Sequence, residues 1–317
     1  VRLVDWLAAL AEPSGTPVEP GEDPATPAGA EEVAEASAIL AEAAGGFCER
    51  LDALGVRPWP INVTQRLVTS IHRCEQLAVE ESADSREPDS WEAFRGRALD
   101  AYVCHAIHAG AVADPVEDLR SHWIATDRPG DIEALDGHMA CGDASAKSAD
   151  LEALAAGALE FSHLGDRVAR VEVTLAATVD DSIRLPGRID VLLDGPGTPR
   201  PAVLVEVKST RPRADHAAQL RHYVMLAALV HGSMPAAAAL WYPGDPASRS
   251  PQSCVEVPVA GTVASSAKRV AGALSRLGEL WQGRVPERSG GSHCTWCPLA
   301  AECPQARRGE TWESPGG

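Results

Sequence analysis

The chain has 317 residues, 45% of them hydrophobic, and a formal net charge of −17, a composition ordinary for a globular protein. No run of about 18 or more apolar residues is present, which excludes an integral membrane protein built on spanning helices. The charge is unevenly placed: residues 184–310 hold 15 Lys and Arg against 10 Asp and Glu, while the remainder carries −22. The overall acidity therefore does not exclude a basic face that meets nucleic acid.

The opening VRLVDWLAAL is interrupted by Asp5 and has no small-residue cleavage site after it, so no secretion signal is read and a cytoplasmic protein is expected. Residues 11–32, rich in Pro, Gly, Glu and Ala, read as a disordered acidic linker. Helices are expected at 31–54, 64–81 and 91–109; in the second, Leu67, Ile71 and Cys74 share a face. Residues 111–147 mix Pro, Gly and acids and read as an insertion, with a helix following at 148–162. The period then changes. Segments 167–179, 183–195 and 201–210 alternate or run β-branched between turn clusters, which predicts three consecutive antiparallel strands. A helix over 214–232, strands over 237–244 and 255–260, and a last helix over 263–283 complete an α/β layer of helices on a mixed sheet.

Three features carry chemistry. Asp190 sits between Ile189 and Val191 in an apolar strand, so alternation turns it to the opposite face. Glu206 and Lys208 are two apart on the next strand and project together, about 7 Å apart, with Val205 and Val207 on the other side. One face of a hairpin thus presents Asp, Glu and Lys. Hard oxygen ligands of this kind suit Mg²⁺ or Mn²⁺, and a nearby Lys orients or helps deprotonate an attacking water. The plainer reading is a cross-strand salt bridge on a solvated face. Gln219 and Tyr223, four apart on the following helix, share a face and make the combination more specific. Eight cysteines without a secretion signal argue against a disulfide framework. Cys294, Cys297 and Cys303 form a C-x2-C-x5-C cluster, whereas Cys48, Cys104, Cys141 and Cys254 are isolated and read as buried free thiols.

GRID (187–190), EVK (206–208) and the Q-x3-Y spacing resemble, in order, the signature of RecB-type nucleases of the PD-(D/E)xK superfamily. The C-terminal cysteines resemble the iron–sulfur members of that group, the CRISPR-associated iron–sulfur exonucleases and the AddB nuclease domain. In those proteins a fourth cysteine lies far upstream, and Cys74 stands at the matching place. The resemblance implies a restriction-endonuclease-like mixed sheet flanked by helices, with a 4Fe–4S cluster linking the N-terminal helix to the C-terminal tail. It implies Asp190, Glu206 and the Val207 carbonyl as metal ligands, Lys208 as the catalytic lysine, and Gln219 and Tyr223 as positioning residues. It also implies Cys74, Cys294, Cys297 and Cys303 as cluster ligands. Four thiolates also hold Zn²⁺, and spacing alone does not choose; the asymmetry of one C-x2-C with a distant partner favours iron–sulfur.

Related nucleases carry G-x3-H on the helix before the sheet, whereas this chain has Gly96 followed by Asp100. Asp100 is taken as the third ligand, with His105 and His108 as the competing choice. Glu172 is a further candidate for an acidic residue that some members keep on the first strand. The domain layout expected is an acidic extension over 1–60, a nuclease domain over 61–310 with an insertion at 111–165 and the cluster segment at 294–303, and a tail over 311–317. The function implied is a Mg²⁺- or Mn²⁺-dependent deoxyribonuclease, an exonuclease of DNA repair, recombination or defence. Its partners would be DNA and a helicase or other DNA-processing protein, since the chain has no Walker-type phosphate loop. Two other readings are a catalytically inactive DNA- or partner-binding iron–sulfur subunit and a zinc-stapled interaction module.

Overall fold

Helix starts follow capping signals written in the sequence. The computed structural model describes residues 1–11, 29–56, 60–81, 90–164, 167–194, 202–244, 252–295 and 297–306. Most of the expected linker, 12–28, lies outside them. The first elements are α1 (Leu3–Ala11), α2 (Ala30–Ala53), β1 (Ile61–Asn62), α3 (Gln65–Arg73) and α4 (Glu75–Glu81). Next come α5 (Trp91–Ala109), α6 (Pro115–Ala125), α7 (Pro129–Ala140) and α8 (Ala144–Ala158). Side chains of Thr64, Ser90, Asp114 and Asp143 each accept a backbone N–H of the first turn of α3, α5, α6 and α8.

The second half contains β2 (Ala169–Val179), β3 (Ile183–Leu193), β4 (Val203–Val207), α9 (Ala214–His231), β5 (Ala237–Tyr242), β6 (Ser253–Glu256) and α10 (Thr262–Trp281). The α/β mixed sheet expected from the sequence is present: β3 and β4 pair antiparallel, β4 and β5 parallel, β5 and β6 antiparallel, and β2 pairs with β3. Every residue of β4 and β5 is buried, as a parallel pair covered on both faces requires. No helix among the described residues is long and apolar enough to cross a membrane.

Residues 111–147, read as an insertion, hold α6, α7 and the start of α8, and Leu119, Trp123 and Leu135 bury themselves in one core with Phe94, Leu99 and Tyr102 of α5. The helix expected over 64–81 breaks at Cys74, whose φ of −162° and ψ of 112° are extended and end α3.

Contacts divide the chain into two units. The first comprises Val1–Ala30, Glu87–Thr174 and Arg188–Thr262, and the second Glu31–Arg86, Leu175–Gly187 and Val263–Gly317. In this division α2 falls in the same unit as the C-terminal segment. In the first unit the core joins α1, α5 to α8 and the sheet, with Phe161 edge-on to Trp241 at 4.8 Å between ring centroids. The Trp241 indole N–H donates to Glu160 at 2.8 Å, so a large buried ring loses no polar group to solvent.

In the second unit α2 buries the stripe Val33, Ala36, Leu40, Ala44, Phe47 and Leu51, which is one helical face. Glu32 accepts the Val263 and Ala264 N–H groups at 2.8 and 3.2 Å, placing a carboxylate at the N-terminus of α10. A second tie fixes the α3–α4 break: buried Glu75 takes the Arg284 guanidinium at 2.7 Å and the Glu287 N–H at 2.9 Å. Burial pushes the Glu75 carboxyl up, but Arg284 and the Glu287 N–H outweigh it and leave its pKa lowered. The tie therefore stabilises the fold above the ordinary glutamate range near ~4.3 and is lost as pH falls through the lower folded value. Glu75→Ala is expected to cost about 1–3 kcal/mol in urea unfolding at pH 7, with the difference from the parent shrinking in acid. An unchanged midpoint at pH 7 would remove Glu75 from the structural account.

Candidate active site

The register of the hairpin builds the site. Val191 pairs with Val205, and one step back Asp190 lies beside the end of β4, where its Oδ2 accepts the Val207 N–H at 2.8 Å. Glu206 is 1% exposed inside β4, and its Oε1 receives the Lys208 ammonium at 2.7 Å. The Lys208 backbone N–H is held by the Trp241 carbonyl at 2.9 Å, so the lysine leaves the sheet from a fixed point. Asp190, Glu206 and Lys208 thus meet as the alternation argument required.

Asp100 joins them from α5. Burial raises its pKa well above the usual carboxylate range, and the Asp190 charge raises it further, against Arg188. Burial also raises the Glu206 carboxyl well above its ordinary value, with Asp190 adding to it and Lys208 opposing. Asp190 is likewise pushed up by burial, while Lys208 and the Val207 N–H favour its charged form. For Lys208 burial acts downward, but Glu206 and Asp190 together leave its pKa raised, so it is a cation at neutral pH. Three carboxyls thus share the Lys208 ammonium and the Arg188 guanidinium, and burial raises the pKa of each of them.

The other predicted residues divide as follows. Tyr223 on α9 is buried beside the same group, with burial and the charges of Glu206 and Asp190 raising its hydroxyl pKa. The Gln219 amide donates to the Tyr223 oxygen at 3.0 Å, so the Q-x3-Y pair acts as a unit. On α5 the carboxyl whose charge bears on Asp190 and Glu206 is that of Asp100.

Two residues were not anticipated. Arg188, inside the GRID motif and on the same strand face as Asp190, contacts Glu172 at 3.1 Å and stands 3.9 Å from Asp100. His216 is buried with Nδ1 3.1 Å from the Tyr242 hydroxyl, and burial with nearby Lys208 pulls its pKa down to about 4. No sequence signal marks His216, but Arg188 was visible as the one cation within the motif. Glu172 itself occupies the left-handed region, at φ +48° in the middle of β2. That conformation costs a non-glycine residue about 1–3 kcal/mol.

Among the described residues no three His, Cys, Asp or Glu side chains close around one point tightly enough to hold a metal ion. The donor set nevertheless suits a hard divalent cation. All the side-chain oxygens are carboxylate, and Glu206 Oε2 is buried without a hydrogen-bond donor, a cost that a cation would offset.

All eight cysteines are free thiols. Cys74, at the α3–α4 break, and Cys294, in the 3₁₀ turn Ser292–Thr295, are buried. Burial raises the Cys297 thiol, and the neighbouring Cys74, Cys294 and Cys303 raise it further, so the upstream cysteine and the C-terminal three share one locality. The remaining four stand apart. Cys48 bonds to the Ser182 hydroxyl at 3.2 Å, and burial pushes Cys254 up to about 12. Cys141, expected to be buried, is exposed, because α7 ends there and turns it outward.

A family profile of the PD-(D/E)XK nuclease superfamily matches residues 117–304. The chain belongs to the PD-(D/E)XK nuclease superfamily. The match begins inside the stretch expected as an insertion and includes Asp190, Glu206, Lys208 and all three C-terminal cysteines. Among solved structures, the crystal structure of SSO0001 is similar at 17% identity over 76% of this chain and 95% of that one, with a TM-score of 0.31. No curated protein matches.

Proposed function

We propose that this protein is a divalent-cation-dependent deoxyribonuclease of the RecB-like iron–sulfur branch, acting as an exonuclease on DNA in the cytoplasm, in repair, recombination or defence. The observation that supports this most is the gathering of Asp100, Asp190 and Glu206 about Lys208, which pairs with Glu206 at 2.7 Å. Asp100, Asp190, Glu206 and the Val207 carbonyl would hold Mg²⁺ or Mn²⁺. When bound, such a cation supplies Lewis-acid activation of the phosphodiester and of water. Lys208, anchored on Glu206, keeps two ammonium N–H bonds for the phosphate or for the water that attacks it. Asp190 is fixed in orientation by the Val207 N–H. Tyr223, kept protonated by burial and braced by Gln219, presents a hydroxyl donor beside these groups. Cys74, Cys294, Cys297 and Cys303 would bind a 4Fe–4S cluster, with zinc as the alternative occupant. A helicase or other DNA-processing protein is the partner that such a nuclease would serve.

The third carboxylate distinguishes this proposal. Asp100→Ala is expected to lower Mg²⁺-dependent cleavage of labelled DNA by about a hundredfold or more. Asp100→His should recover part of it with a preference for Mn²⁺, the softer of the two ions. His105→Ala and His108→Ala should cut at the parental rate. An Asp100→Ala enzyme of full activity would reject this ligand and return the choice to the histidines.

A further inference from the structure

Beside the carboxylates, β2 carries a non-glycine residue in the left-handed region, Glu172 at φ +48°. A glycine at position 172 would take φ +48° freely, and a bulge is the usual reason for such a residue within a strand. The chain has Glu there, its side chain 40% exposed, with Oε1 3.1 Å from Arg188 Nη1 and 3.9 Å from Arg128 Nη1. Arg128 is itself fixed by Asp131 at 2.6 Å. Arg188 is 50% exposed, and its Nη2 lies 3.9 Å from Asp100, too far for a hydrogen bond. A guanidinium carries five N–H donors in a planar fork matched to phosphate oxygens. Glu172 engages one edge of that fork, and the edge towards Asp100 makes an ion pair there without a hydrogen bond, so its N–H donors remain able to take a phosphate oxygen.

We propose that Arg188 clamps a backbone phosphate of the nucleic-acid substrate beside the carboxylates, and that the strained backbone at Glu172 holds the guanidinium in the orientation this requires. The proposal rests on the nuclease reading above. Arg188 is the substrate-binding group and Glu172 its positioning residue. The competing account makes Arg188 only a counter-ion for Asp100 and Glu172. The two differ in what DNA feels: a phosphate clamp releases a counterion from the nucleic acid on binding, whereas an internal counter-ion does not.

The test uses the full chain and a short fluorescein-labelled oligonucleotide, with anisotropy read in EDTA across a salt series and cleavage read in Mg²⁺. Arg188→Ala is expected to weaken binding about tenfold and to reduce the slope of log K against log salt by about one. In Mg²⁺ its KM should rise more than its kcat falls. Arg188→Lys should restore the salt slope. Glu172→Gly should melt at or above the parental temperature yet raise KM several-fold, an effect that relief of strain alone would not produce. An unaltered salt slope for Arg188→Ala, or a Glu172→Gly protein with parental KM, would overturn the clamp. A parent that neither binds nor cuts the oligonucleotide would instead reject the nuclease reading itself.

Discussion

Asp190→Asn is expected to lower DNA cleavage by about a thousandfold or more, about 4 kcal/mol in the barrier, and yet to melt no lower than the parent in metal-free buffer. Burial and the neighbouring Asp190 hold the Asp100 and Glu206 carboxyls well above their ordinary range. Removing the charge on Asp190 therefore relieves a repulsion in the folded state. The amide oxygen of Asn still accepts the Val207 N–H, so the hairpin keeps the 2.8 Å bond that Asp190 makes there. Activity and stability then move in opposite directions, as expected where a site stores unfavourable electrostatics for its chemistry. Lys208→Ala should be equally inactive, by about 10²–10⁴-fold, but less stable, because it strips Glu206 of its partner. Oligonucleotide cleavage assays and thermal melts in EDTA measure both. An active Asp190→Asn or Lys208→Ala enzyme would mean that the hydrolysis happens elsewhere on the chain or in a contaminant.

On the proposed iron–sulfur reading, the parent purified without oxygen is expected to carry about four iron atoms per chain and a broad absorption at about 400 nm, and Cys74→Ser to lose most of both. The same loss should follow at Cys294, Cys297 and Cys303, which share one locality with Cys74. Cys48→Ser and Cys254→Ser should keep the iron, since one bonds to Ser182 and the other lies in β6. Solubility should fall with the iron, because Cys74 sits where the Glu75 tie joins α4 to the segment leading into the C-terminal cysteines. A full zinc complement without iron after anaerobic preparation would replace the iron–sulfur assignment with a zinc staple. Iron retained in Cys74→Ser would remove the upstream ligand.

Much of the site was legible because period-2 alternation fixes which strand residues share a face: Asp190, Glu206 and Lys208 follow from it directly. The α5, α9 and α10 helices were legible from their length. The helices at 115–140 were not, because Pro, Gly and acids were weighed as composition. In fact Pro115 and Pro129 occupy first-turn positions and Asp114 caps α6, which are start signals rather than breaks. The break at Cys74 is hidden for the opposite reason: Ile71, Cys74, Leu77 and Ala78 are all buried at helical spacing, so the pattern runs on while the backbone does not. Two features have no local signature at all. The positive φ at Glu172 and the neutral, buried His216 depend on neighbours brought in by the fold.

The way the chain weaves between its two units has an evolutionary consequence. Each unit is assembled from three separate stretches of sequence, and β2 and β3 each begin in one unit and end in the other. No single crossover, truncation or fusion point yields one of them intact, so neither can be inherited, shuffled or lost as a module. Gene fragments ending near residue 174 or beginning near residue 188 would encode chains with β2 or β3 cut short, leaving strand edges without their partners.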